Sequence, residues 1–160
     1  MRLVDGALHM GGKLFIEMPA ARKSLSDLQQ DLEHGRNVIL ERATGAGDND
    51  YHRKVLNHII GIERWGQSRL KVFLGEPFIH DEYDGYRPPK ETSYIDLQRQ
   101  FDETRQGTLH LAVELATTPV DPSRRSMHNM FGPLTPRGWL YYLYFHANAE
   151  SMRRLRSMNR

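Results

Sequence analysis

The chain has 160 residues, 39% of them hydrophobic and 26% charged, with a formal net charge of +2 and no cysteine. That composition belongs to a globular protein with one sizeable core; it excludes disulfides, thiolate metal ligands and a cysteine nucleophile, leaving His and carboxylates as the strong metal donors. The near-balance of charge is weak for a nucleic-acid binder, and no run approaches the roughly 20 apolar residues of a membrane span.

In "MRLVDGALHMGGKLF", Asp5, Gly6, His9 and Lys13 interrupt any signal-peptide core, so a cytoplasmic location is expected. No Gly-, Ser- or Pro-rich linker divides the chain, so one domain over 1–160 is expected, with 1–23 as an N-terminal extension.

The first helix is predicted near 24 to 43. Ser24 in "SLSD" is a capping residue with Asp27 at N3, and Leu25, Leu28, Leu32, Ile39 and Ala43 form an apolar stripe. The second is predicted over 50 to 74, opening at Asn49 or Asp50 and stopping at Gly75 before Pro77. Its buried side is marked by Val55, Ile59, Ile62, Gly66, Leu70 and Phe73, and His58 borders that side. A histidine so placed is a hydrogen-bonded core-edge residue or a ligand.

The segment 76–92 is a polar loop rich in Pro, Gly, Asp and Tyr, placed to arch over one end of a bundle, and its "HDEYD" reads as a solvated acidic turn. The third helix, 93 to 116, starts at Ser93 with Asp96 at N3, and Leu97, Phe101, Thr104, Thr108, Leu111 and Leu115 recur at helical spacing. Pro119 ends it. The following loop, "TTPVDPSRRSMHNMFGPL", is longer than most bundle connections. Such loops serve as lids or binding surfaces. Arg124, Arg125 and His128 within it either meet an anionic substrate or simply solubilise the loop.

The last helix, 135 to 157, has Thr135 as N-cap, Pro136 at N1, and Leu134 with Trp139 as a hydrophobic staple. Its stripe runs through Leu140, Leu143 and Ala147 and carries His146 and Glu150 with it. Four residues apart, these two lie on one face one turn apart, where they either share a metal ion or form an inert helix pair. The arginines of "SMRRLRSMNR" oppose the helix dipole, and without interleaved aromatics they do not make a nucleic-acid site. Four amphipathic helices in one domain predict an all-α antiparallel four-helix bundle. The aromatic cluster Trp139, Tyr141, Tyr142, Tyr144 and Phe145 covers more of the last helix than one core needs, which predicts a homodimer.

Two segments, "DNDYHRKVLNHIIGIERWGQSRLKVFLGEP" and "FGPLTPRGWLYYLYFHANAESMRRL", resemble the second- and fourth-helix signatures of the DinB/YfiT-like superfamily of four-helix-bundle metalloproteins. The resemblance extends from about Ser24 to Leu155, and Gly132, Pro133, Leu134 and Thr135 reproduce the family's "G-P-L-T" helix start. It implies that His58 is the second-helix metal ligand and His146 the first of the H-x-x-x-H pair in the fourth. Glu150 stands where that pair has its second histidine. Two His and one carboxylate suit catalytic Zn and also Fe(II), and Ni is a further option.

The family implies a divalent-metal-dependent hydrolase or a low-molecular-weight-thiol S-transferase acting on a small-molecule substrate, with the thiol as a second cofactor in the latter case. The alternative is a non-catalytic dimeric bundle in which His58, His146 and Glu150 persist as a buried polar network.

Overall fold

The computed structural model describes residues 11–157. The expectations for residues 1–10, and for Arg160 in the tail, lie outside the described residues. From the N-terminal extension, a π-helical turn over Lys13–Glu17 leads into α1 (Met18–Ala21).

Local cap chemistry then starts each long helix. Ser24 accepts from the Asp27 backbone N–H while the Asp27 carboxylate accepts from the Ser24 N–H, a reciprocal capping box that opens α2 (Leu25–Ala46). The Asn49 side chain accepts from His52 N–H and opens α3 (Asp50–Lys71). This helix tightens into a 3-10 turn, Val72–Leu74, and stops at Gly75, whose φ of 106° is the left-handed conformation that glycine adopts freely. Ser93 caps α4 (Tyr94–Thr117), and Thr135, with Pro136 behind it, caps α5 (Pro136–Arg154). Helix α5 ends before the expected 157 because the backbone turns out of helical geometry at Leu155, which sends its side chain into the core.

The class is all-α, with one minimal β-hairpin. Helices α2 and α3 each pack on both α4 and α5. The apolar stripes meet in two clusters. One joins Leu28, Leu32, Trp65, Leu111, Trp139 and Leu140. The other joins Ile39, Val55, Ile59, Phe101 and Ala147. The expected staple is present, with Leu134 and Trp139 both fully buried in the first cluster.

A polar layer falls between the two clusters along the helices. Arg105 forks onto the Glu63 carboxylate, with its Nη2 2.8 Å from Oε2, and donates from Nη1 to the Leu32 carbonyl at 3.1 Å. Thr108 donates to Glu63 Oε1 at 2.8 Å. Both charged residues are buried, at 0% and 1% exposure. Gly35 makes room beside them, since a Cβ there would lie 2.7 Å from Asn148 Nδ2 and 3.4 Å from Arg105 Nη1.

Both long loops are more ordered than expected. In 76–92, a 3-10 turn (Tyr83–Tyr86) lies along α3. Asp81 is no solvated acidic residue: it accepts from Arg69 at 2.8 Å, from Trp65 Nε1 at 3.1 Å and from the Tyr86 hydroxyl at 2.6 Å. Burial works against its charge, but those three donors outweigh it and hold the carboxyl below the usual range. Arg69, 1% exposed, is sandwiched between the Trp65 and Phe78 rings.

The loop expected to run irregularly from Thr117 to Leu134 folds back as β1 (Ser126–His128) and β2 (Gly132–Leu134), antiparallel, with Ser126 opposite Leu134 and His128 opposite Gly132. Alternation turns Ser126 and His128 inward and Met127 outward. His128 is therefore buried and not part of a solvated loop, while Arg124 and Arg125 remain exposed.

Candidate functional site

A cavity of about 360 Å³ opens beside α3, α5 and the hairpin, lined chiefly by His58, Trp65, His128, Phe131, Tyr142 and His146. Its walls are mostly aromatic, three imidazoles are set among them, and Glu82, Asn129 and Arg153 add the remaining polar lining. His58 comes from the middle of α3 and His146 from α5, where the two stripes face each other. The ring centroids are 5.2 Å apart in an edge-to-face arrangement. This is the meeting the resemblance implies.

Burial pushes His146 down to about 3, with smaller contributions from the neighbouring His58 and His128. Burial also lowers His58, followed by the Arg87 charge, while Glu150 pulls the other way. Both rings are therefore neutral at pH 7. Among the described residues, none hydrogen-bonds to the His146 ring, which is in contact with the rings of His58 and Tyr142. His58 Nδ1 lies 3.4 Å from Arg87 Nη2. A guanidinium only donates, so Nδ1 is the acceptor and the neutral ring carries its proton on Nε2.

Glu150 follows one turn after His146 and is buried, but its carboxylate does not line the cavity. Arg153 donates to Oε1 at 3.1 Å. Arg154 Nε lies 3.2 Å from Oε2, close enough for an ion pair but without the alignment of a hydrogen bond, so Oε2 keeps its lone pairs unmatched. Among the described residues, no three His, Asp or Glu side chains are gathered into a cation cage. The imidazole pair suits a divalent ion, being neutral, adjacent and shielded. The third donor becomes available only if Glu150 swings away from its arginines.

The sequence reading missed the role of His128. The backbone N–H groups of Met130 and Phe131 both donate to its Nδ1, at 3.0 and 3.1 Å. Nδ1 thus carries a lone pair, and the proton of the neutral ring is on Nε2. That atom is buried with no partner. Aromatic rings surround it: Tyr142, Phe131, Trp65 and Trp139 lie with centroids 4.5, 4.8, 5.1 and 5.2 Å away. Burial, and then the Arg69 charge, lower its pKa to about 4. In the sequence, the only signals were the turn-forming Asn129 and Gly132 on either side of "MF", which mark a hairpin but do not show which way His128 points.

A larger groove, about 770 Å³, lies along Asp50, Arg53, Lys54, Arg87 and Lys90. Its charges are largely matched within the chain: Arg53 with Asp48 at 2.6 Å, and Arg87 with Asp84 at 2.7 Å. The three histidines with displaced titrations, and the unpartnered Nε2 of His128, lie instead at the aromatic cavity, which is the default signature of a site. No described helix is long and apolar enough to cross a membrane. Comparison with protein-family models, with curated proteins and with solved structures finds no match, so the site is read from its own geometry.

Proposed function

We propose that the chain is an antiparallel four-helix bundle of the DinB/YfiT type that binds a small molecule in the aromatic cavity and acts on it with a divalent metal ion, as a hydrolase or a low-molecular-weight-thiol S-transferase in the cytoplasm. The observation that carries this reading is the pair His58 and His146, both neutral and edge to face at the cavity wall, with ring centroids 5.2 Å apart. The two imidazoles would hold the ion, with Glu150 as third donor once it leaves Arg153 and Arg154. Bound there, Zn, Ni or Fe(II) would supply Lewis acidity and a water or thiol activated near neutral pH.

The chain's own contributions support that chemistry. Trp65, Phe131 and Tyr142 form a wall that excludes water and receives the apolar part of a substrate. His58 presents the nitrogen opposite Arg87, and it must release the proton on that nitrogen to become a ligand. Phe145, 50% exposed and stacked on Tyr141, and Met152, 60% exposed, form the apolar face proposed to meet a second copy of the chain. Light scattering at micromolar concentration should give a dimeric mass.

The test is calorimetric titration of Zn2+ and Ni2+ into metal-stripped protein at pH 7.5. One ion per chain is expected, with binding lost in His146→Ala and weakened at least tenfold in Glu150→Gln. No heat of binding with the parent protein overturns the metal reading. The second reading, a metal-free bundle that only binds its ligand, is favoured by the arginines on Glu150 and by the Arg87 contact at His58.

A further inference from the structure

We propose that His128 is the group that receives the ligand, and that the ligand is an uncharged carbonyl compound with an aromatic or branched apolar body, whose oxygen accepts a hydrogen bond from His128 Nε2–H.

The assignment begins with the hairpin turn. Two backbone N–H groups aimed at one ring nitrogen leave it no room for a proton, so the turn between β1 and β2 fixes the tautomer of His128. Its remaining nitrogen therefore has a hydrogen and no lone pair. At His58 one side chain, Arg87, would have to turn away for the proton to change nitrogens, but at His128 two backbone N–H groups hold the tautomer, which disfavours a ligand or base at Nε2 and leaves it a hydrogen-bond donor. The residue is 5% exposed, lines the cavity, and has no partner for that donor. A buried donor without an acceptor is rare in folded proteins and marks either an unmet cost or a missing partner.

The surroundings narrow the partner's chemistry. The two indole N–H groups beside His128 are already committed, Trp65 to Asp81 and Trp139 to the Ser126 carbonyl, so these residues offer the ligand only ring surface. The one cation at the cavity wall, Arg153, is bound to Glu150 and to the Ala149 carbonyl. A carboxylate entering this site would lose its hydration without gaining a counter-charge, whereas a ketone, ester or amide loses little and matches a neutral donor. A cavity near 360 Å³ lies at the small end of ligand sites. A neutral imidazole donor also polarises a carbonyl without adding charge to the site.

This inference rests on the cavity and needs no metal, so it is tested on EDTA-stripped protein and stands apart from the outcome of the metal titration. The probes are acetophenone and its hydrocarbon counterpart α-methylstyrene, which share a shape but differ in the acceptor. Isothermal titration should show acetophenone binding at least tenfold more tightly to the parent protein. His128→Phe, which keeps a flat ring, should reduce that preference to less than twofold while retaining α-methylstyrene binding. Long-range 1H–15N spectra of the parent protein should show His128 as the Nε2–H tautomer, with its Hε2 resonance moving downfield on addition of acetophenone. Equal affinity for the two probes, an Nδ1–H tautomer, an unmoved Hε2 signal, or benzoate binding as tightly as acetophenone would each overturn the proposal. The spectra carry the test alone if the variant does not fold.

Discussion

Glu63 and His146 are both polar side chains set among apolar helices, yet their surroundings are opposites. Around Glu63 both carboxylate oxygens are engaged: Arg105 forks onto them, Thr108 donates to Oε1, and Arg105 spends a further N–H on the Leu32 carbonyl. Around His146 the ring packs on the His58 and Tyr142 rings and makes no hydrogen bond among the described residues, His128 keeps an unmatched N–H, and Glu150 keeps an unmatched oxygen. The first region is closed. The second has hydrogen-bonding capacity left over, which is what a ligand can use. Complete satisfaction marks polar groups that hold helices together, and incomplete satisfaction marks those that face something else.

The contrast can be broken most directly at its closed end. Arg105→Met leaves the Glu63 carboxylate buried with only the Thr108 hydroxyl and no counter-charge, so chemical denaturation should show a loss of about 3–5 kcal/mol, while Arg105→Met combined with Glu63→Leu should recover most of it. If the single variant loses less than about 1 kcal/mol, the Arg105–Glu63 layer does not hold the helices together.

A smaller effect is expected on acidification. In the folded protein His128 stays neutral to about pH 4 and His146 to about pH 3, whereas imidazoles in the unfolded chain take protons near pH 6.5. Between those limits the unfolded state binds more protons, so stability is full above about pH 6.5 and falls as pH drops. The midpoint of urea unfolding measured from pH 7 to 4 should therefore decline, and His146→Phe should decline less steeply. Parallel curves would count against the neutral cavity.

The smallest change sharpens the comparison. At pH 7 His146→Phe removes a polar group that no hydrogen bond supports, so its stability should lie within about 1 kcal/mol of the parent's. A cost matching that of Arg105→Met would erase the distinction between the two regions.

The helix starts were legible because caps act over three residues: Ser24, Asn49, Ser93 and Thr135 each carry their signal locally. The juxtaposition of His58 and His146 was legible through the family resemblance and the stripes that carry them. Glu63 with Arg105 was not, since partners 42 positions apart leave no periodic trace and each alone reads as a surface charge. The hairpin was missed because three-residue strands are too short to show alternation. The orientation of Glu150 was missed for another reason. Spacing places its Cβ one turn from His146, but Arg153 and Arg154, three and four residues on, compete for the carboxylate.

The start of α5 carries one more consequence. Glu17, from the π-helical turn, accepts from Thr135 N–H at 2.7 Å and from the Thr135 hydroxyl. It can do so because Gly138 has no side chain; a Cβ there would collide with the Glu17 carboxylate. Positions 17 and 138 are therefore epistatic. Alanine at 138 would push the flexible Glu17 carboxylate off Thr135 and cost those hydrogen bonds, a penalty that disappears once residue 17 is small, so trimming residue 17 before enlarging residue 138 is the less costly order for a lineage to take.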